Sequence, residues 1–441
     1  MFRCLDAARL AAIVLAVSIV YGPSVAAGQD PPSGAATSQA PALDALVARA
    51  LERAPSIAAR RARLAAAEAV RPAAGLLPDP MVEFEYRDAG FPRQTLGSDP
   101  MSMVGAMVQQ PLLTGARRRA SRAVAASEVQ QRRAEVDAWA GELTAAVREQ
   151  YARLYTVDRE QAVLRDALQI ADLLATTASS RYAAGESDQA SVLRTQLERT
   201  RVGERLADLE GERAILVAGL NRLTDDPIGT VIGEVTSLPE LPALPAGLDV
   251  LPELAAAASP EVGVRQAEVA LAGERLTAAR AELGTNLTLG GGFYWQGNSD
   301  RVVTLTLGFE LPFRRNRRER PMIAASEREA EAARLELRDA SASARAQAAQ
   351  LVAEIKRAED QLVRYRTGLL PQSSAALDAA RAGYLGGRGE FAAALDEFRR
   401  WTEIRVEVAR REAARFAALG RLHVLVAQAA AGEGARKESQ S

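Results

Sequence analysis

Four short stretches of the chain alternate between apolar and polar residues, and long stretches beside them carry apolar residues at every third or fourth position. Alternation marks a strand with two different faces, and the three-four spacing marks a helix. Residues 82–87 set Val82, Phe84 and Tyr86 against Glu83, Glu85 and Arg87. Residues 302–311 set Val303, Leu305, Leu307, Phe309 and Leu311 against Thr304, Thr306 and Glu310. Residues 286–296 gather Leu287, Leu289, Phe293 and Trp295 on one side, and 101–110 alternates more weakly. At about ten residues each, these have the length of tilted membrane-spanning strands.

The helical stretches are far longer than those of ordinary globular proteins. Between Ala116 and Tyr182 there is no proline and a single glycine, Gly141. Val136, Trp139, Leu143, Val147, Tyr151 and Leu154 advance by threes and fours, as in a coiled-coil seam. At 1.5 Å per residue this rod reaches ~100 Å, and a second over 321–383 reaches ~95 Å. Pro371 predicts a kink in the second rod. The return helices 189–222 and 391–427 cover only ~50 and ~55 Å. Each rod is therefore expected to pair with two short helices stacked end to end. On that reading 260–281 follows 189–222, and 43–74 completes 391–427.

A duplication organises these elements. Residues 43–223 resemble 249–427: Pro55 answers Pro260, Pro111 answers Pro312, and Tyr182 and Gly185 answer Tyr384 and Gly387. Each copy reads as a helix, a β-hairpin (81–110 and 285–311) and a long helical hairpin (116–222 and 321–427). Residues 224–248, with four prolines, read as an equatorial linker. Residues 28–42 are expected to be flexible and 428–441 disordered.

The first residues bear on compartment. Arg3 and Arg9 frame an apolar run from Leu10 to Val20, and small residues follow to Ala27, so 1–27 reads as a secretory signal peptide. Cys4, the single cysteine, lies inside it, so disulfides and cysteine metal sites are not expected in the mature chain. Aromatics make up 5% of the 441 residues and the net charge is -1, a balance that excludes nucleic acid as a bulk electrostatic partner. With one histidine and no mature cysteine there is no nucleophile–base set, so no enzyme is expected, and no cofactor or metal. His423 reads as structural, and the pair Asp225 and Asp226 lacks metal-site companions.

Four strands cannot close a conducting barrel, and lipid does not tolerate an open sheet edge. The strands therefore predict a homotrimer with twelve of them. Glu83, Glu85, Thr304, Thr306 and Glu310 would then face the pore while the apolar faces meet outer-membrane lipid. The basic groups Arg117–Arg119 and Arg314, Arg315, Arg317, Arg318 and Arg320 follow strands, where they can reach lipid phosphates.

Over roughly 43–427 the sequence resembles the TolC family of outer-membrane efflux components. The duplication carries the resemblance, with "LLPDPMVEF" (76–84), "SDPMSMVGAMVQQPLLTGARRR" (98–119), "RYAAGESDQASVLRTQ" (181–196) and "LPFRRNRRE" (311–319). The "PDPM…SDPMSMVG" pattern is most like the heavy-metal branch (cobalt–zinc–cadmium or copper efflux), although "PLLTGAR" (111–117) departs from the "P-W-P-G-K"-like stretch expected there. The resemblance implies a mainly α fold with a small transmembrane β part: a trimeric twelve-stranded β-barrel continued by a long periplasmic α-barrel. It implies docking on a periplasmic adaptor (a membrane fusion protein) and an inner-membrane pump of the resistance-nodulation-division type.

It also implies roles at the tips. Arg181, Tyr182, Gly185 and Ser187, with Gly386, Gly387 and Gly389, would seat the adaptor. In the family a tyrosine, an arginine and two aspartates at the second tip shut the entrance. Tyr384 matches the tyrosine and Asp396 the second aspartate. Ala393 stands at the first aspartate and Gly389 at the arginine, with Arg388 one residue earlier. The competing reading is a periplasmic coiled-coil adaptor or scaffold. A drug or secretion duct competes with a metal duct inside the family.

Overall fold

A computed structural model describes residues 41–438 except 89–92, 94, 100, 298–300 and 311–316, with side chains described as far as 427. The expected signal peptide, most of the 28–42 segment, the tip of the second hairpin, and Arg314 and Arg315 lie outside the described residues. Among the described residues, nine α-helices and four strands follow in order. They are α1 (Leu43–Arg53), α2 (Pro55–Val70), β1 (Met81–Arg87), β2 (Met103–Leu112), α3 (Gly115–Ala183), α4 (Gln189–Thr224), α5 (Leu251–Ala258), α6 (Pro260–Ala281), β3 (Asn286–Trp295), β4 (Arg301–Glu310), α7 (Glu319–Arg364), α8 (Leu370–Leu385) and α9 (Phe391–Glu438).

The expected first helix, 43–74, is in fact two helices and a 3-10 turn at Arg71–Ala73. Ala54 sits at φ -55°, ψ 126° because the following proline ring excludes the helical region. The second copy breaks likewise at Ser259 before Pro260, where the Ser259 hydroxyl accepts the Val262 N–H and caps α6. Where a kink was expected at Pro371, the structure has a π-helical turn just ahead of the proline. Pro371 lacks an N–H for the Thr367 carbonyl, and the helix passes through one turn of π-helix at Tyr365–Leu369 before resuming as α8. α9 runs past the expected end at 427 to Glu438, through an alanine-rich stretch that favours helix.

The 69 residues of α3 form a rod of about 100 Å that organises everything else. Along its tip half, Val157, Leu164, Ala167, Ala171 and Leu174 meet Val202 and Leu209 of α4 on one side and Phe391, Leu395 and Phe398 of α9 on the other. Along its sheet-side half α2 and α6 take over: Trp139 Nε1 donates to Ser56 Oγ at 3.1 Å, and Pro260 lies against Gly141. The stacking thus differs from the expected one. α4 ends beside the α1–α2 junction, where Leu220 and Leu223 join Leu46, Ala50 and Ile57. α9 reaches Gly141 through Val424 and there meets the start of α6. The short helices swap partners because chain order does not decide which column lies alongside.

The segment between the repeats is pinned rather than loose. The Asp158 carboxylate, 1% exposed, accepts from Arg213 Nε at 2.6 Å and from the Val235 N–H at 2.8 Å. Arg213 Nη2 donates onward to the carbonyls of Ile232 and Gly233. Burial pushes the Asp158 carboxyl above the usual range, opposed by Arg213 and the Val235 N–H. Leu238 and Leu241 then pack on the first core cluster and Leu244 and Leu248 on that of α5, α7 and α9. Asp158→Ala leaves Arg213 without its carboxylate and the Val235 N–H unpaired. It should cost about 3 kcal/mol, read as a fall in the denaturation midpoint followed by far-UV circular dichroism.

Candidate functional site

The two ends of the molecule carry the candidate chemistry. At one end the strands form a single antiparallel sheet in the order β1-β2-β3-β4, with β2 paired to β3 joining the repeats. The register places Glu83 beside Met107, Gly292 and Thr304, and Glu85 beside Gly105, Tyr294 and Val302. Thr306 and Glu310 lie on that same face. The five residues expected at a pore therefore share one surface. The opposite surface presents Phe84 (83% exposed), Val303 (78%) and Leu305 (79%), with no layer of the described residues over them. β1 and β4 have no outer neighbour among the described strands.

Tyr294 is the member of the polar face that the sequence reading missed. It is 1% exposed, its ring lies against Gly105 and Gly292, and its hydroxyl donates to Glu85 Oε2 at 3.1 Å. Arg87 donates to both Glu85 oxygens and holds its guanidinium 5.4 Å from the Tyr294 ring. Alternation in β3 was the available signal, because it sets Tyr294 opposite Phe293 and Trp295. Where the strands enter the rods, Arg117 donates to Glu282 and Asn286, and Arg118 Nε to the Gly75 carbonyl at 2.9 Å.

At the other end both hairpins turn by the same device. Gly185 and Gly387 sit at φ 74° and 75°, and each closes its helix with paired backbone bonds. The Glu186 N–H donates to Arg181 O and the Gly185 N–H to Tyr182 O; Arg388 N–H to Gly383 O and Gly387 N–H to Tyr384 O repeat the pattern. Asp188 then caps α4 through the Ser191 N–H. Gly389 packs so closely that a Cβ would lie 2.9 Å from Gly383 C and Tyr384 N.

The matched gate residues are not brought together. Tyr384 is 2% exposed and packs edge-on to Phe391 at 5.6 Å, while Arg388 and Asp396 face solvent. Arg181, assigned above to the docking tip, is what meets Tyr384. Its Nη1 donates to the Tyr384 carbonyl at 3.1 Å and its guanidinium stands 5.3 Å from the ring. Burial raises the Tyr384 hydroxyl above its ordinary range, and among the described residues that hydroxyl has no hydrogen-bond partner. Ser187 is half-buried, Gly185, Gly386 and Gly387 are exposed, and Tyr182 is 49% exposed. Leu193, Leu197 and Leu385 add exposed apolar surface at the same end, which the sequence reading did not single out.

Elsewhere the acidic pair proves structural. Asp225 ends α4 in the left-handed region, and Asp226 accepts from Arg49 and Thr224, with Arg49 first in holding its carboxyl below the usual range. Among the described residues no group of three His, Cys, Asp or Glu side chains can hold a metal ion, and no helix is long and apolar enough to cross a membrane.

The family model for outer membrane efflux proteins matches residues 46–225 and 251–428, one match per repeat. The chain belongs to the outer membrane efflux protein family. Its fold is shared by solved structures of low identity. The outer-membrane channel OprN is 16% identical, with a TM-score of 0.74 over 88% of this chain and 90% of that one. The outer membrane protein VceC from Vibrio cholerae is 17% identical, with a TM-score of 0.74 over 87% and 96%. CusC, described as forming a transmembrane channel, is 14% identical, with a TM-score of 0.74 over 87% and 91%. No curated protein matches the sequence.

Two outcomes test the tip of this family member. Gly387→Ala should cost about 1 kcal/mol for the left-handed backbone, and Gly389→Ala should force the turn apart. Both should appear as faster amide exchange at 383–389. Tyr384→Phe removes a hydroxyl that has no partner. It should leave stability within about 0.5 kcal/mol or raise it, as read by the same exchange.

Proposed function

We propose that this chain is the outer-membrane channel subunit of a tripartite efflux system, working as a homotrimer. The observation that carries the reading is a four-stranded sheet with two unpaired edges and an uncovered apolar face. Closing β1 of one copy on β4 of the next removes every edge, and three copies give twelve strands. The apolar face then meets outer-membrane lipid, and Glu83, Glu85, Thr304, Thr306 and Glu310 line the pore. The rods continue the pore into the periplasm. The tips, with Tyr182, Gly185, Ser187 and Gly386–Gly389, receive a periplasmic adaptor that links the channel to an inner-membrane pump of the resistance-nodulation-division type.

The gate in this reading is narrower than the family pattern implies. Arg181 clamps the first hairpin to the second through Tyr384, and Asp396, exposed one turn into α9, supplies a ring of three carboxylates at the entrance. Such a ring favours cations. The cargo is metal ions or small toxic compounds, with the metal reading supported by the "PDPM…SDPMSMVG" pattern. An adaptor or scaffold is disfavoured because neither role explains an apolar sheet face left open.

Outer membranes from expressing cells, extracted in detergent and placed in planar bilayers, provide the test. A particle of three chains with discrete openings is expected. Asp396→Ala should lower cation preference, and Arg181→Ala should raise open probability severalfold. A soluble monomer without conductance would overturn the proposal.

A further inference from the structure

A cleft of 1040 Å³ lies where the inter-repeat segment crosses the helices. Tyr155 and Arg159 of α3 line it, with residues 236–244 of the crossing segment, the end of α7 with the π-turn, and α9 from Glu412 to His423. That stretch of α9 is about 16 Å long. No step of the channel reading uses this cleft.

Its charges are unevenly satisfied. The Glu412 carboxylate accepts from the Tyr155 hydroxyl and from Arg366, and Glu359 accepts from Arg415 Nε at 2.8 Å. Burial holds the His423 imidazole below its ordinary range, so it is neutral at neutral pH. Arg159 is the exception. It is half-buried and has no hydrogen bond or ion pair among the described residues. Its neighbours along α3, Arg153 and Arg165, both have carboxylate partners. Glu240, the remaining carboxylate of the lining, is exposed and makes no ion pair with Arg159.

The apolar part of the lining is open too. Leu362 and Phe416 are buried side chains of the wall, and Val363 beside Leu362 is 61% exposed. A guanidinium partly stripped of water and left unpaired is unfavourable, and so is a bare apolar wall. One ligand relieves both if it joins an anion to an apolar chain. A cleft with an apolar wall and a few placed polar groups is the usual form of a small-molecule site.

We propose that this cleft binds a long-chain carboxylate, with the head on Arg159 and the chain over Leu362, Val363 and Phe416. The guanidinium fork matches a carboxylate in plane. Arg366 and Arg415 are already neutralised, so the site has charge for one anionic group and none for a second. This role is additional to the channel and does not depend on it.

The full chain, exchanged from detergent into a non-ionic amphipol, is titrated with dansyl-labelled undecanoic acid and read by fluorescence. Saturable binding of one probe per chain is expected. Dodecanoate should displace it, and dodecanol, which keeps the chain and lacks the charge, should not. Arg159→Ala should weaken binding at least about tenfold, and Arg159→Lys should restore part of the affinity. The denaturation midpoint of Arg159→Ala should match wild type, because Arg159 has no partner to lose. Absence of saturable binding, displacement by dodecanol as readily as by dodecanoate, or wild-type affinity in Arg159→Ala would each overturn the inference.

Discussion

A β-sheet in a medium without water has to satisfy its own edges, and this chain does not. Among the described residues its four strands end in two open ladders, and one surface carries Phe84, Val303 and Leu305 mostly exposed. Much else follows from that shortfall. The duplication supplies strands in pairs, and the β2–β3 ladder fuses the pairs into one sheet. α3 leaves β2 and α6 leads into β3, so the β2–β3 ladder sets these two helices side by side.

Below the sheet the helices solve a different problem. They are wet along two sides and cannot rely on a thick core, so small residues bring them close and ion pairs fix their register. Ala167, Ala171, Ala344, Ala348 and Ala394 are buried at contacts, and carboxylates bridge columns: Glu160 holds Arg205 and Arg410, and Glu198 holds Arg399. Both carboxylates are themselves buried, unlike the solvent-exposed ion pairs of the rods, which are each worth little. The most deeply buried of these carboxylates is Asp158, which with Arg213 ties the inter-repeat segment to α3 and α4.

Much of the fold was legible because its elements are long and periodic. The period of two in β4 and β3 gave the faces, and Pro260 and Ala281 mark the ends of α6 where the pattern placed them. What stayed hidden were relations between columns. Apolar spacing on α4 says that a face is covered but not by which helix, so the stacking was assigned to the wrong partners. The tips show the same limit. Tyr182 and Tyr384 are equivalent in the repeat, yet one is exposed and the other buried. The difference lies in a neighbour that the sequence does contain: Phe391 follows the second turn where Gln189 follows the first. Arg181 has Gly383 as its counterpart, so the repeat gave no sign that it would cross to the other hairpin. The π-turn was invisible because a proline announces a disturbance without saying how the preceding carbonyls will absorb it.

The twin turns at Gly185 and Gly387 have a consequence for symmetry. Each chain ends in two hairpins of one backbone shape but unlike dress: Tyr182 with Gln189 on one, Arg388 with Phe391 on the other. In a ring of three chains the six turns would alternate, nearly sixfold in backbone and strictly threefold in side chains. A partner that seats on all six turns would then find seats of two kinds, odd and even. It would have to grip by backbone shape alone, or itself break into two conformations to match.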